Sequence, residues 1–247
     1  MKLHNSVQGS IEFMPPATVE RILQSARSQK RKYLLEPEAK EICLAYGMPT
    51  PAFGVAQNPS EARELASEIG FPVVLKVVSQ DVLHKTEAGG VLLDLNSKEQ
   101  VEDGYNQIIS KVRAFDDKAR ISGVLVQHMA PKGIEVIVGG LRDSQFGPTV
   151  LFGLGGIFVE VLKDASFRVS PLSELDSRQM IREIHAYSIL QGARGQPASD
   201  EEAIVRILQS TSKIMMENQA IQQMDLNPVI VYARGANIVD ARIILGE

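Results

Sequence analysis

Cysteine is almost missing: Cys43 is the single thiol in 247 residues, so no disulfide framework holds this chain together. It falls inside a helical pattern, where the role of a small buried apolar side chain fits better than that of a reactive thiol. No apolar run reaches the length a membrane helix needs, and no leader-like stretch precedes the body. Together these absences predict a cytoplasmic protein with no membrane partner. Positive charge is not in excess either. Lys and Arg number 26 against 30 Asp and Glu, a formal net charge of −4, and no basic stripe is visible. Nucleic-acid binding through phosphate charge needs clustered Lys and Arg, so that class is excluded. The cluster Gly153, Gly155 and Gly156 (GLGG) lacks the Gly-Lys-Ser/Thr of a Walker A loop and the third glycine of a dinucleotide fingerprint.

What is present is an ordinary globular composition, 44% apolar and 23% charged, long enough for one large domain or two smaller lobes. Residues 1–16 show no periodicity and end in Pro-Pro, a loose or partner-bound lead-in. Val19, Ile22, Leu23 and Ala26 then fall at helical spacing, followed by Lys30, Arg31 and Lys32, which read as a solvated helix end. Pro37 and Gly47 mark the two ends of a second helix. A strand over 52–56 follows, then a helix opened by Asn58, Pro59 and Glu61.

The run 72–78 (PVVLKVV) is a buried strand interrupted only by Lys76. An ammonium buried there costs several kcal/mol, on the order of the desolvation penalty of an ion, unless it meets an anion or reaches water. Phosphate is the natural anion; an edge strand with the ammonium in solvent is the alternative. The polar, glycine-ended loop 79–91 (SQDVLHKTEAGGV) then presents His84 beside Lys85. A neutral imidazole there can take a phosphoryl group and release it, although alone it is equally a surface histidine.

Strand and helix alternate again through 91–115, the helix opened by Ser97 with Gln100 and carrying Val101, Tyr105, Ile108, Val112 and Phe115 on one face. Strands follow at 121–129, 133–141 and 149–152. Period two sets Glu135 opposite Ile134 and Val136, free to face a cleft. Strand candidates at 158–162 and 167–169, a helix over 173–184 and one capped by Ser199 with Glu202 come next. The final strands, 220–231 (with MDLNPVIV) and 238–245 (with VDAR), embed Asp225, Asn227 and Asp240 among apolar residues. Side by side across a hairpin, such hard oxygen ligands suit Mg²⁺ shared with substrate phosphates. The whole set suits Mg-assisted phosphoryl transfer, where positioning and charge neutralisation carry most of the catalysis.

The segments LEPEAKEICLAYGMPTP, IGFPVVLKVVSQDVLHKTEAGGV, RDSQFGPTVLFGLGGIFVEVLKDASFRVSPL, GARG, MDLNPVIV and VDAR resemble, in this order, the β subunit of ADP-forming acyl-CoA (acetyl-CoA) synthetases, relatives of the succinyl-CoA synthetase β subunit. The resemblance implies an α/β (α+β) ATP-grasp fold of two lobes with nucleotide bound between them. The expected divisions are an N-terminal extension and helix over 1–34, a first lobe with the mobile histidine loop over 35–127, and a second lobe over 128–247. It also implies a reversible reaction in which acyl-CoA, ADP and phosphate give carboxylic acid, CoA and ATP.

On the same resemblance His84 is the phosphohistidine carrier, in a loop with Thr86 and Glu87 where Ser and Asp are usual. Asp225 is the acid that hydrogen-bonds the visiting phosphohistidine. Lys76 meets nucleotide phosphates, Gln127, His128 and Met129 form the hinge that meets adenine, and Glu135 is a further nucleotide-site residue. Asn227 and Asp240 form the Mg²⁺-binding pair. GLGG and Arg194 are family signatures without an assigned contact. The chain has no CoA domain of its own, so a CoA-binding α subunit is the implied partner, in an α2β2 assembly. A stand-alone ATP-grasp carboxylate ligase and a non-catalytic nucleotide-sensing subunit are the competing readings.

Overall fold

A computed structural model describes residues 16–82, 84–156, 164–192 and 197–246. The lead-in 1–15, the strand candidate over 158–162 and Arg194 lie outside them. The described residues fall into two compact units, one of residues 35–38 and 51–130, the other of residues 16–34, 39–50 and 131–246.

The first unit holds β1 (Phe53–Ala56), α3 (Pro59–Ile69), β2 (Val73–Ser79), β3 (Val91–Leu95), α4 (Lys98–Phe115) and β4 (Ile121–His128), with the first turn of α2 (Glu36–Ala45). Its four-stranded antiparallel sheet has the order β1-β4-β2-β3, so β2 is an interior strand. Asn58 caps α3 by accepting the Glu61 N–H at 2.9 Å, and Ser97 caps α4 by accepting the Gln100 N–H at 3.2 Å. Val73, Leu75, Val77, Val124 and Val126 form a core with Leu65 of α3 and Val101, Ile108 and Val112 of α4. Each such side chain contributes roughly 1.5–3 kcal/mol when fully buried. Phe115, read as part of the α4 face, is instead 61% exposed, because it ends the helix beyond the reach of the sheet.

The second unit holds α1 (Pro16–Ser28), the rest of α2, β5 (Ile134–Asp143), β6 (Gly147–Leu154), β7 (Ala165–Val169), α5 (Glu174–Glu183), the short α6 (Tyr187–Leu190), α7 (Glu201–Glu217), β8 (Ile221–Val231), β9 (Ala236–Ile238) and β10 (Ala241–Leu245). The antiparallel strand order is β10-β8-β5-β6-β7, with β9 also on β8. Val136, Val138, Val150, Phe152 and Leu154 face a core completed by Ile204, Leu208 and Met215 of α7 and Met180 of α5. The four apolar residues of α1 join it, as does Cys43, whose thiol burial pushes up to about 12, far from a nucleophile's range.

Three expectations change. Arg31 is buried rather than solvated, because the chain turns after α1 and its guanidinium meets the Gln29 side chain at 3.1 Å. The cap of α7 is Asp200 and not Ser199: its carboxylate accepts the Ala203 N–H at 3.0 Å and the Gly235 N–H at 2.6 Å, tying the helix to the β8–β9 turn. The last strand is broken into β9 and β10, and Asp240 lies in the link between them.

Candidate functional site

In the first unit the pleat of β2 sorts its residues. Val73, Leu75 and Val77 enter the core under the helices, so Val74, Lys76 and Val78 point to the opposite face. Lys76 lies between Val91 of β3 and Leu125 of β4, which removes the edge-strand alternative. Its ammonium finds an anion within the protein: Nζ donates to Glu36 Oε1 at 2.7 Å, with both side chains almost fully buried. Glu36 Oε2 accepts a second ammonium, that of Lys85. One carboxylate from the first turn of α2 thus joins the strand lysine to the residue beside His84.

The loop after β2 folds back tightly. The Ala88 N–H donates to the His84 carbonyl at 3.1 Å and the Gly90 N–H to the Lys85 carbonyl at 2.7 Å, while the Val77 N–H donates to the Gly90 carbonyl at 2.7 Å. A Cβ on Gly90 would lie 2.5 Å from Val77 Cγ1, which explains the second glycine of the AGG run. His84 is exposed at the start of this turn, beside backbone tied to β2.

Gln127 lies on β4 opposite Val74, on the same face as Lys76. It is fully buried, and neither its Oε1 nor its Nε2 has a hydrogen-bond partner among the described residues. Such an orphaned amide is costly and suits a site that a polar ligand completes. His128 ends β4 and Met129 follows; their N–H groups donate to the carbonyls of Ala52 at 2.8 Å and Pro72 at 2.9 Å.

In the second unit Val136, Val138 and Leu226 face the helices, which leaves Glu135 and Asp225 on the open face of the sheet. A bulge does the rest. Val136 pairs with Val229 and Val138 with Leu226, so Asn227 and Pro228 together oppose Ile137. Leu226 and Val229 both remain in the core while Asn227 stands outside, exposed. Asp225 faces Arg242 across the β8–β10 ladder, and Asp240 precedes the Ala241–Leu226 pair, bringing it to the level of Asn227. The structure therefore gathers Glu135, Asp225, Asn227 and Asp240 on one face of one sheet.

Burial, and then the charge of Asp240, push the Asp225 carboxyl up from its ordinary value, against the pull of Arg242. The carboxylate of Asp240 at the level of the Asn227 amide oxygen forms a donor pair that fits Mg²⁺. No group of three or more His, Cys, Asp or Glu side chains gathers among the described residues. Mg²⁺ needs none, since one or two carboxylates with water and substrate phosphates suffice.

Two residues that sequence reasoning passed over shape these sites. Glu36 reads only as a helix start, yet it binds both lysines. Lys40, fully buried on α2, donates to the carbonyls of Ile238 at 3.3 Å and Val239 at 2.8 Å, fixing the backbone that leads into Asp240. The GLGG run extends β6 through Leu154. The Gly155 N–H donates to the Glu135 carbonyl at 2.8 Å, and a Cβ at 155 would lie 3.0 Å from Glu135 Cβ.

Comparison with known proteins gives this geometry a family. The ATP-grasp domain family matches residues 25–245. The chain is 46% identical to the β subunit of acetate–CoA ligase [ADP-forming] I of Pyrococcus furiosus, over 93% of this chain and 98% of that one. It is 44% identical to acetate–CoA ligase [ADP-forming] I of Archaeoglobus fulgidus, over 93% of this chain but only 33% of that longer protein. Among solved structures, the dinucleotide-forming acetyl-coenzyme A synthetase 1 of Candidatus Korarchaeum cryptofilum superposes with a TM-score of 0.83 at 48% identity, covering 92% of this chain and 100% of the matched one. That structure holds coenzyme A and Mg-AMPPCP, with its phosphohistidine segment pointing towards the nucleotide binding site. The chain belongs to the ATP-grasp family, among the β subunits of ADP-forming acetate–CoA ligases.

Proposed function

We propose that this chain is the nucleotide-binding subunit of a cytoplasmic ADP-forming acyl-CoA synthetase, working with a CoA-binding α subunit in an α2β2 assembly. The fused Archaeoglobus relative, three times as long as the region it shares, supports a partner of that kind. The observation that carries the reading is the exposed His84 at the start of a tightly pinned turn, one residue from a lysine that shares its carboxylate with the strand lysine Lys76.

In this reading the α subunit converts acyl-CoA and phosphate to CoA and acyl phosphate. The phosphoryl group passes first to a histidine of the α subunit as the carboxylic acid leaves, and then to a ring nitrogen of His84 as the P–N bond to that first histidine breaks. A terminal oxygen of ADP then forms the new P–O bond of ATP as the His84 P–N bond breaks, and the imidazole is regenerated. Lys76 meets the nucleotide phosphates, Glu135 contacts the nucleotide, and Gln127, His128 and Met129 bound its base. Asp225, whose carboxyl is pushed up from its ordinary value by burial and the Asp240 charge, accepts a hydrogen bond from the second ring nitrogen of phosphorylated His84. Asn227 and Asp240 hold Mg²⁺, which neutralises phosphate charge when bound. The units of this chain correspond to the two ATP-grasp lobes.

The test is reconstitution. The purified chain with its α partner, acyl-CoA, ADP, phosphate and Mg²⁺ is expected to form ATP. No ATP from two folded proteins overturns the proposal.

A further inference from the structure

Glu36 holds one carboxylate against two ammonium groups that differ in freedom. The Lys76 side chain is 7% exposed and fixed on an interior strand, and Glu36 itself is 3% exposed. The Lys85 side chain is 20% exposed and belongs to the loop that carries His84. A buried carboxylate stripped of its cation is strongly penalised. Here Lys85 can leave for water while Lys76 keeps Glu36 neutralised, so the lysine beside the histidine is a detachable contact and the strand lysine a permanent one. Among the described residues, the backbone bond from the turn to β2 lies on its far side, where the Val77 N–H donates to the Gly90 carbonyl, while the His84 and Lys85 carbonyls accept N–H groups from within the turn.

We infer that Glu36 is a positioning residue for the histidine loop: through Lys85 it docks the start of the turn onto β2, and each excursion of His84 breaks the Lys85–Glu36 contact while the Lys76–Glu36 pair survives. The inference rests on the phosphohistidine reading for its purpose, though not for its geometry. Lys85 is thereby a docking group of the carrier loop, and Lys76 serves both the nucleotide and the retention of Glu36.

The test uses the full chain and the variants Lys85→Met, Glu36→Gln and the double variant. Hydrogen exchange is followed at the amides of Ala88 and Gly90, whose acceptors are the carbonyls of His84 and Lys85. Lys85→Met is expected to speed that exchange about tenfold, as for a lost hydrogen bond to a charged group, with α3 and α4 unchanged. The double variant is expected to go no faster than the faster single one. Unchanged exchange in Lys85→Met, or strictly multiplicative effects in the double variant, overturns the inference. Lys85→Met keeps the test open even where Glu36→Gln loosens the whole unit.

In the assembled enzyme Lys85→Met is expected to lower kcat several-fold with KM for ADP little changed; a change confined to KM contradicts a docking role. Should His84→Ala retain ATP formation, the phosphohistidine reading falls while the exchange results keep their meaning.

Discussion

Asp225 and Arg242 face each other across the β8–β10 ladder, yet the acid is still pushed toward its protonated form, because burial and Asp240 outweigh the guanidinium. Arg242 is exposed at the strand surface, where solvent screens its charge. The second unit thus carries an acid whose charge is costly until something cationic approaches it.

The pH dependence follows from the direction of that shift. The folded chain holds the Asp225 proton more tightly than the unfolded chain, so the stability this proton confers is present at low pH. It is lost as pH rises from the ordinary aspartate value, about 3.9, through the higher folded value. Asp225→Asn is therefore expected to raise the urea midpoint of the metal-free chain at pH 7, with the gain shrinking as pH falls toward that ordinary value. A lower midpoint at pH 7 contradicts the electrostatic account of this face.

Gln127 offers a second reading of stability against function. Its amide is buried without a hydrogen-bond partner among the described residues, so Gln127→Met is expected to stabilise the nucleotide-free chain by about 1 kcal/mol and to weaken ADP binding. Chemical denaturation and calorimetric titration measure the two effects. A loss of stability of similar size shows the amide to be satisfied.

Gly155 tests the link between the glycine run and Glu135. A Cβ there would lie 3.0 Å from Glu135 Cβ and 3.2 Å from its carbonyl oxygen, so one of the two must move. Gly155→Ala is expected to cost roughly 1–3 kcal/mol, as overpacking does, and to raise KM for ADP. A variant as stable and active as the parent removes close packing as the reason for this glycine.

Much of this was legible in the chain itself. The lone lysine in PVVLKVV and the histidine in a glycine-ended loop stand out against their neighbours, and period two set Glu135 away from the core. The partner of Lys76 did not stand out. Glu36 lies 40 residues before it, at a helix start where acidic residues are common for local reasons. Asp200 escaped notice because Ser199 with Glu202 offers an equally good local cap; the Gly235 N–H, 35 residues away, completes the case for the aspartate. The bulge at Asn227 and Pro228 was equally hidden, since only pairing with β5 reveals two residues opposing one. Periodicity records which face a residue takes, whereas long-range pairing decides what it meets there.

The carrier role of His84 is tested most directly by incubating the chain with Mg²⁺ and ATP labelled at the γ-phosphate, then mapping the label. The account predicts a base-stable, acid-labile phosphoryl group on His84, absent from His84→Ala. Label on another residue, or none on a chain that makes ATP with its partner, contradicts it.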